Sequence, residues 1–197
     1  MSIDNISFAV GEWNKDAFEF INSKMANGFF DIIMPMARQP IIWVPLYVFF
    51  AALIFINFKK QALYIYIFAA ATIFFSDQLS AHVLKVFFAH PRPCADYTMM
   101  GRIRMLVDCG PGFSFPSSHA TNHFAFAVFI ITLLGQKIKW LLPMLVFWAA
   151  LVCFGQVYVG VHFPLDVIGG GLLGTIIGYW FGYFCRKAVF PITMENS

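Results

Sequence analysis

Charge is what this chain has least of. Only 12% of its 197 residues are Asp, Glu, Lys or Arg, against 60% hydrophobic residues and a mean hydropathy of +0.73. Soluble domains carry about a quarter charged residues, so the composition excludes an ordinary soluble globule and implies an integral membrane protein. A net charge of +3 is a modest excess, and in a membrane protein such an excess is mainly topological. No nucleic-acid partner is expected. Residues 1–24 lack the basic flank, apolar centre and small-residue cleavage site of a secretory leader. We therefore expect no cleaved signal peptide, with the first span acting as the insertion signal. Also missing is any cluster of carboxylates, histidines or cysteines at metal-ligand spacing.

What is abundant is long apolar sequence. Residues 41–58 are nearly free of charge and end at Lys59-Lys60, close to the ~20 residues that a bilayer crossing needs. Further spans are expected at 61–75, continuing as a helix to 88, and at 120–134, 140–154 and 165–184. The fold class is thus all-α, a polytopic bundle of five transmembrane helices forming one integral membrane domain over 1–197. Residues 12–36 mix apolar and polar positions at helical spacing, which suits a helix lying at the interface; a sixth, partial span is the competing reading. Lys59 and Lys60, Lys137 and Lys139, and Arg186 and Lys187 fall where five alternating spans share one face, cytoplasmic by the positive-inside rule. The 90–118 loop and the 155–164 turn then share the opposite, extracytoplasmic face. Gly170, Gly174, Gly178 and Gly182 form a four-residue ladder read as helix packing.

Against this apolar background a set of polar residues clusters on the outer face: Lys85, His90, Arg92, Ser117, Ser118, His119, Gln156, His162 and Asp166. Ionisable groups at membrane depth are costly and are functional candidates, although any single one could be a snorkelling side chain. Their joint spacing says more. Lys85 to Pro93 has the form K-x6-R-P, Pro116 to His119 the form P-S-x-H, and His162 to Asp166 the form H-x3-D, in that order and with spans between them.

This arrangement resembles the type 2 phosphatidic acid phosphatase family, with blocks K-x6-R-P, P-S-G-H and S-R-x5-H-x3-D, over residues 78–174. The resemblance implies a lipid phosphatase that works without metal or cofactor and resists chelators. Lys85 and Arg92 would supply fixed positive charge to a phosphoryl group whose charge spreads over its oxygens. His162 would be the nucleophile, oriented by Asp166 if 161–167 form the first turn of the fifth span. His119 would be the general acid. Ser117, Ser118 and Gln156 complete the expected substrate-binding set, with Ser117 and main-chain N–H groups cradling phosphate. His82, His90 and His123 are read as structural.

The match departs from the pattern at the third block, where Gly155 and Gln156 stand in place of serine and arginine. Gln156 cannot pair with a dianion, so one charge of the usual clamp is missing. Arg102 or Arg104 could supply it, or the pocket could tolerate the loss. Ser118 also replaces the glycine of the second block. In an oxidising compartment Cys94 and Cys109 could form a disulfide, contributing roughly 3 kcal/mol. The expected partner is a phosphorylated membrane lipid at the outer face of a bacterial-type cytoplasmic membrane, and no protein partner is expected. By family analogy the first choice of substrate is undecaprenyl diphosphate, followed by phosphatidylglycerophosphate and lipid A. The rival class is a lipid-phosphate binding or translocating protein without turnover.

Overall fold

In hydrocarbon the backbone N–H and C=O groups have no partner but each other, so apolar runs of this length fold as helices. The computed structural model describes residues 3–190, and all regular structure among them is helical. α1 (Ile3–Glu19) passes through a π turn (Phe20–Lys24) and, after a break, α2 (Gly28–Ala37) follows. α3 (Val44–Phe58) and α4 (Ala62–Asp77) form a hairpin, and α4 runs on through a wide π turn (Gln78–Leu84) into the short α5 (Lys85–Phe88). α6 (Ser118–Leu134), α7 (Leu141–Tyr158) and α8 (Pro164–Val189) complete the bundle. The helices thus follow the expected spans, α7 reaching a turn further than 154 and so carrying Gln156 within it. Phe55, Ile56, Phe147, Leu172 and Trp180 point outward and stand more than half exposed, as suits a lipid-facing belt.

The expected single helix over 12–36 is two. Asn27 interrupts it, its Oδ1 accepting from the Phe30 N–H at 2.9 Å and so starting α2 afresh. The segment does more than rest at an interface: Phe18 and Asn22 are fully buried. The Asn22 amide donates to the carbonyls of Arg104 and Tyr158, both at 2.8 Å, and accepts from the Arg104 N–H at 2.8 Å. Asn14 accepts from the Leu165 N–H at 3.0 Å. These bonds strap the N-terminal segment across the end of the bundle that carries the turn between α7 and α8.

The two ends of the bundle differ in chemistry. At one end lie the Lys59-Lys60 turn and the basic close of α8. There Gln61 donates to the Val189 carbonyl at 2.9 Å, and Lys137 stands 5.9 Å above the Phe190 ring. At the other end residues 89–117 cross from α5 to α6. A disulfide joins Cys94 and Cys109, with Cα atoms 6.0 Å apart.

α6 and α8 hold the core. A Cβ on Gly174 would strike the Thr121 carbonyl oxygen, and one on Gly178 the Ala125 carbonyl oxygen, so the backbones touch where the glycine ladder predicts a close approach. Gly174→Val should therefore destabilise the detergent-solubilised protein by about 3 kcal/mol or prevent folding. Gly28→Ala, at an exposed position with nothing within 4 Å, should leave the melting temperature unchanged. Thermal unfolding of both variants followed by thiol-reactive dye or size-exclusion profile checks this; equal stability would refute the packing role of the ladder.

Candidate active site

Pro164 sets the start of α8. Lacking an N–H, it suits the first helical position, so the helix begins after His162 rather than around it. The expected helical i,i+4 relation between His162 and Asp166 is therefore not what joins them. Instead Asp166, at the third position of α8, folds back over the helix start, its Oδ2 accepting the Phe163 N–H at 2.7 Å. That brings Oδ2 to 3.4 Å from His162 Nδ1. Both side chains are almost wholly buried.

A third residue completes the pair. Ser114 is buried, its Oγ 3.1 Å from His162 Nδ1 and 2.5 Å from Asp166 Oδ2. A carboxylate can only accept, so the Ser114 hydroxyl donates to Asp166 and its oxygen lone pair faces His162. Nδ1 must then carry the imidazole proton, and Nε2 is left with its lone pair. The protein fixes the one tautomer in which the outward nitrogen is a base or nucleophile. Sequence reasoning missed Ser114, although its place three residues before Ser117 in the same motif segment was a usable signal. His90 stands at the rim, Nδ1 3.9 Å from Asp166 Oδ1.

Burial is the main influence on His162 and pushes its pKa down to about 4 against the opposing pull of Asp166. The cations of Lys85 and Arg92 act in the same direction as burial. Arg92 is held by carbonyls and by no carboxylate among the described residues: Nε donates to Gly112 at 3.3 Å, Nη1 to Val161 at 3.4 Å and Nη2 to Pro111 at 3.4 Å. Lys85 has no salt bridge there either, so two charges remain unneutralised beside a buried imidazole.

The second expected block lies alongside. The Ser117 N–H donates to the Asp166 carbonyl at 2.9 Å, which ties the start of α6 to the start of α8. Ser117 is fully buried, its Oγ accepting from the Ala120 N–H at 3.5 Å as the cap of α6. It serves the helix start. His119, the second residue of α6, borders a cavity of about 480 Å³. Tyr47, Ala69, Ile73 and Phe126 give this cavity apolar walls, and Asp77, Ser118, Asn122 and His123 line a polar edge. Asn122 bridges the edge, donating to Asp77 at 3.1 Å and accepting from Ser76 at 2.6 Å. The Ser118 hydroxyl and His123 Nε2 are buried and unpartnered among the described residues, whereas His123 Nδ1 donates to the His119 carbonyl at 2.8 Å. Asp77 was missed in the sequence. An acid within the helical run 62–88 was its signal.

Neither arginine expected to replace the missing third-block charge does so. Arg102 pairs with Glu19, and Arg104 binds both Asp31 carboxylate oxygens, at 2.9 and 2.8 Å. What meets Gln156 is Arg38, at the C-terminus of α2, whose Nε donates to Gln156 Oε1 at 3.3 Å. Nothing in the motif blocks points to Arg38, because it lies outside all three.

Known proteins resemble this chain both in sequence and in fold. The chain is 32% identical over 162 residues to a lipid A 4'-phosphatase of Bacteroides thetaiotaomicron, covering 81% of this chain and 71% of that protein. It is 31% identical over 170 residues to an undecaprenyl-diphosphatase of Sulfolobus acidocaldarius, covering 85% and 76%. In fold it resembles the crystal structure of a transmembrane PAP2 type phosphatidylglycerolphosphate phosphatase from Bacillus subtilis, with a TM-score of 0.71, 24% identity, and coverage of 95% of this chain and 90% of that one. The PAP2 superfamily profile matches residues 61–190, well over half the chain. The chain belongs to the PAP2 superfamily of membrane phosphatases.

Proposed function

We propose that this lipid phosphatase hydrolyses a phosphate monoester on a membrane lipid whose leaving group is a neutral alcohol, as on a lipid A-type glycolipid, at the outer face of the cytoplasmic membrane. The observation that carries the reading is the cavity beside His119. A general acid must stand next to the leaving oxygen, so the cavity it borders receives the leaving group. Its apolar walls suit an acylated lipid, while Asp77 and Asn122 offer hydrogen bonds to hydroxyl or amide groups. A carboxylate there repels a leaving group that is itself a phosphate. This favours the glycolipid over undecaprenyl diphosphate, the first choice from sequence, and agrees with the 32% identity to a lipid A 4'-phosphatase.

The chemistry follows from the tautomer. Lys85 and Arg92 bind the phosphoryl oxygens and offset the charge that develops on them. His162 Nε2 attacks phosphorus as the ester P–O bond breaks, and His119 passes its proton to the departing alkoxide. The Nδ1 proton, held by Ser114 and Asp166, stabilises the charge the ring acquires. A water molecule, deprotonated by His119, then attacks the phosphohistidine, releasing phosphate and restoring both histidines. No metal or cofactor enters these steps.

His162 must be unprotonated to attack, and its pKa is depressed to about 4. The acid limb governed by this residue should therefore appear as pH falls through about 4, well below the ordinary histidine range near 6.5. Its stability contribution has the same sign. The unfolded chain takes up this proton near 6.5 and the folded chain only near 4, so the contribution is full above 6.5 and is lost as pH falls between them. Profiles of kcat/KM and of melting temperature against pH test both; a melting-temperature limb near 6.5 that disappears in His162→Gln, or an acid limb of kcat/KM near 6.5 in the unaltered protein, would overturn the assignment.

The deciding assay is phosphate release by purified protein, with chelator present, from a lipid A-type glycolipid, undecaprenyl diphosphate and phosphatidylglycerophosphate. The glycolipid should give the highest kcat/KM, and Asp77→Asn should improve undecaprenyl diphosphate relative to it. His119→Gln should cost about 100- to 10,000-fold. Faster hydrolysis of the diphosphate by the unaltered protein would restore the first choice from sequence, and binding of all three lipids without release would favour the non-catalytic rival.

A further inference from the structure

The phosphate site contains a glutamine where a full clamp would place a cation, yet a cation touches that glutamine from another element. α2 lies across the end of α7, fixed by its polar stripe. Asp31 accepts from Tyr158 Oη at 2.7 Å and binds Arg104, and Phe30 packs edge-on against Tyr158 with centroids 5.7 Å apart. Met34, one turn on, is buried over α7, and Arg38, another turn on, emerges from the same face. Gly155 makes the approach close, since a Cβ there would already meet the Met34 carbonyl at 3.4 Å and Arg38 Cβ at 3.9 Å. A serine hydroxyl at that position would reach further into α2.

Three features separate Arg38 from an ordinary surface arginine. It has no carboxylate partner among the described residues, unlike Arg102 and Arg104, and it is half-buried. Burial lowers its pKa, and the neighbouring positive charge of Arg92 lowers it further. Its partner Gln156 accepts the Val161 N–H on its carbonyl at 3.3 Å, and the Val161 carbonyl accepts from Arg92 at 3.4 Å, so Arg38 and Arg92 meet the same turn that carries His162. An unneutralised guanidinium held beside a second one is unfavourable until an anion enters. The third feature is Gln156, fully buried, with Oε1 accepting from Arg38 Nε and Nε2 unpartnered among the described residues. One end of the amide orients the guanidinium. The other is a donor still in need of an acceptor.

We propose that Arg38 is a phosphate-binding catalytic residue of this enzyme, its guanidinium oriented by Gln156, so that α2 supplies the cation the third block lacks. The inference rests on the phosphatase reading above. Arg38 would bind phosphoryl oxygens through Nη1 and Nη2, which its bond to Gln156 leaves free, opposite Arg92, and Gln156 Nε2 would donate to the same group. Gln156 is then a positioning residue as well as a donor, and Gly155 is the gap that lets α2 come near.

The experiment relocates the charge. Arg38→Gln, Gln156→Arg and the exchanged double variant are compared with the unaltered protein for kcat/KM on the preferred lipid and for inhibition by inorganic phosphate. Loss of Arg38 should lower kcat/KM by about 100-fold and weaken phosphate inhibition, with melting temperature retained. The exchanged variant, which returns a cation to the same pocket, should recover at least tenfold of that loss, a rescue that a merely structural arginine would not give. Should Arg38→Gln not fold, Arg38→Lys keeps a charge without the planar fork and should still lose affinity for phosphate. Activity and phosphate inhibition within threefold of the unaltered protein in Arg38→Gln, or in Arg38→Lys where that variant is used, would overturn the proposal. So would a loss in Arg38→Gln that the exchange fails to restore while phosphate inhibition stays the same. Protection of the protein from thermal unfolding by inorganic phosphate, read without turnover, separates the two hypotheses: if no lipid is hydrolysed but protection is lost in Arg38→Gln, the phosphatase reading fails and the anion site stands.

Discussion

The contact on which the rest depends is the approach of α6 to α8. Gly170, Gly174 and Gly178 remove the side chains that would hold these backbones apart, and the carbonyls of Ser117, Thr121 and Ala125 occupy the space. Close packing of this kind fixes axial register as well as distance, because each carbonyl sits against one glycine. The register at the end nearest the 89–117 loop is what matters chemically: it sets the Ser117 N–H against the Asp166 carbonyl at 2.9 Å. The motif block on α6 and the block preceding α8 are thereby aligned, and Ser114, three residues before Ser117, falls between His162 and Asp166. In this fold a packing device that starts one turn from Asp166 and runs down the bundle determines which side chains meet at the site.

The charges at the end of the bundle that carries the 89–117 loop divide by whether they have partners. Arg102 and Arg104 are neutralised by Glu19 and Asp31 and hold the N-terminal segment to the 89–117 loop. Lys85, Arg92 and Arg38 have no carboxylate partner of this kind among the described residues, and all three are at least partly withdrawn from water. Unneutralised positive charge in a half-buried setting is costly to the free protein and favourable to an anion that enters. Asp166, the carboxylate nearest the site, is occupied by the Phe163 N–H, Ser114 and His162. Its hydrogen bonds go to Ser114 and the Phe163 N–H and none to Lys85 or Arg92, so its charge offsets theirs only from a distance and leaves them open to an anion.

Much of this was legible in the sequence, for physical reasons. Long uncharged runs can only be helices in hydrocarbon, and ionisable groups near such runs are rare enough that three spaced blocks stand out. The glycine ladder announced its own contact. The errors lie where tertiary contacts override local pattern. Residues 12–36 have one helical period, yet Asn27 accepts a backbone N–H and starts a second helix. His162 and Asp166 have helical spacing, yet Pro164 moves the helix start and the pair meets through a folded-back cap. Arg102 and Arg104 were the basic residues nearest the motifs in the chain, but two carboxylates from the N-terminal segment reach them first. Arg38, Asp77 and Ser114 share one reason for having been missed: each meets the site through a partner more than 40 residues away in sequence, and no local period encodes that.

The family profile covers residues 61–190, and the site does not stop at that boundary. Asn14 bonds to the first turn of α8, Phe18 packs against Phe163 with ring centroids 5.4 Å apart, and Asn22 links the 89–117 loop to the end of α7. All three come from α1 and its π turn, and they brace the short connection between α7 and α8 on which His162 is carried. Residues within a packed helix pair have little freedom, but a five-residue turn such as 159–163 has only its neighbours to hold it. Of the residues that orient His162, Asp166 belongs to a motif block and Ser114 stands two residues before one. Those that immobilise its turn, and the arginine that reaches Gln156, belong to a segment the blocks do not include. Relatives sharing the blocks but differing in this segment would hold the same histidine and aspartate with a different distribution of charge around them, and such a difference can alter substrate preference without altering the reaction.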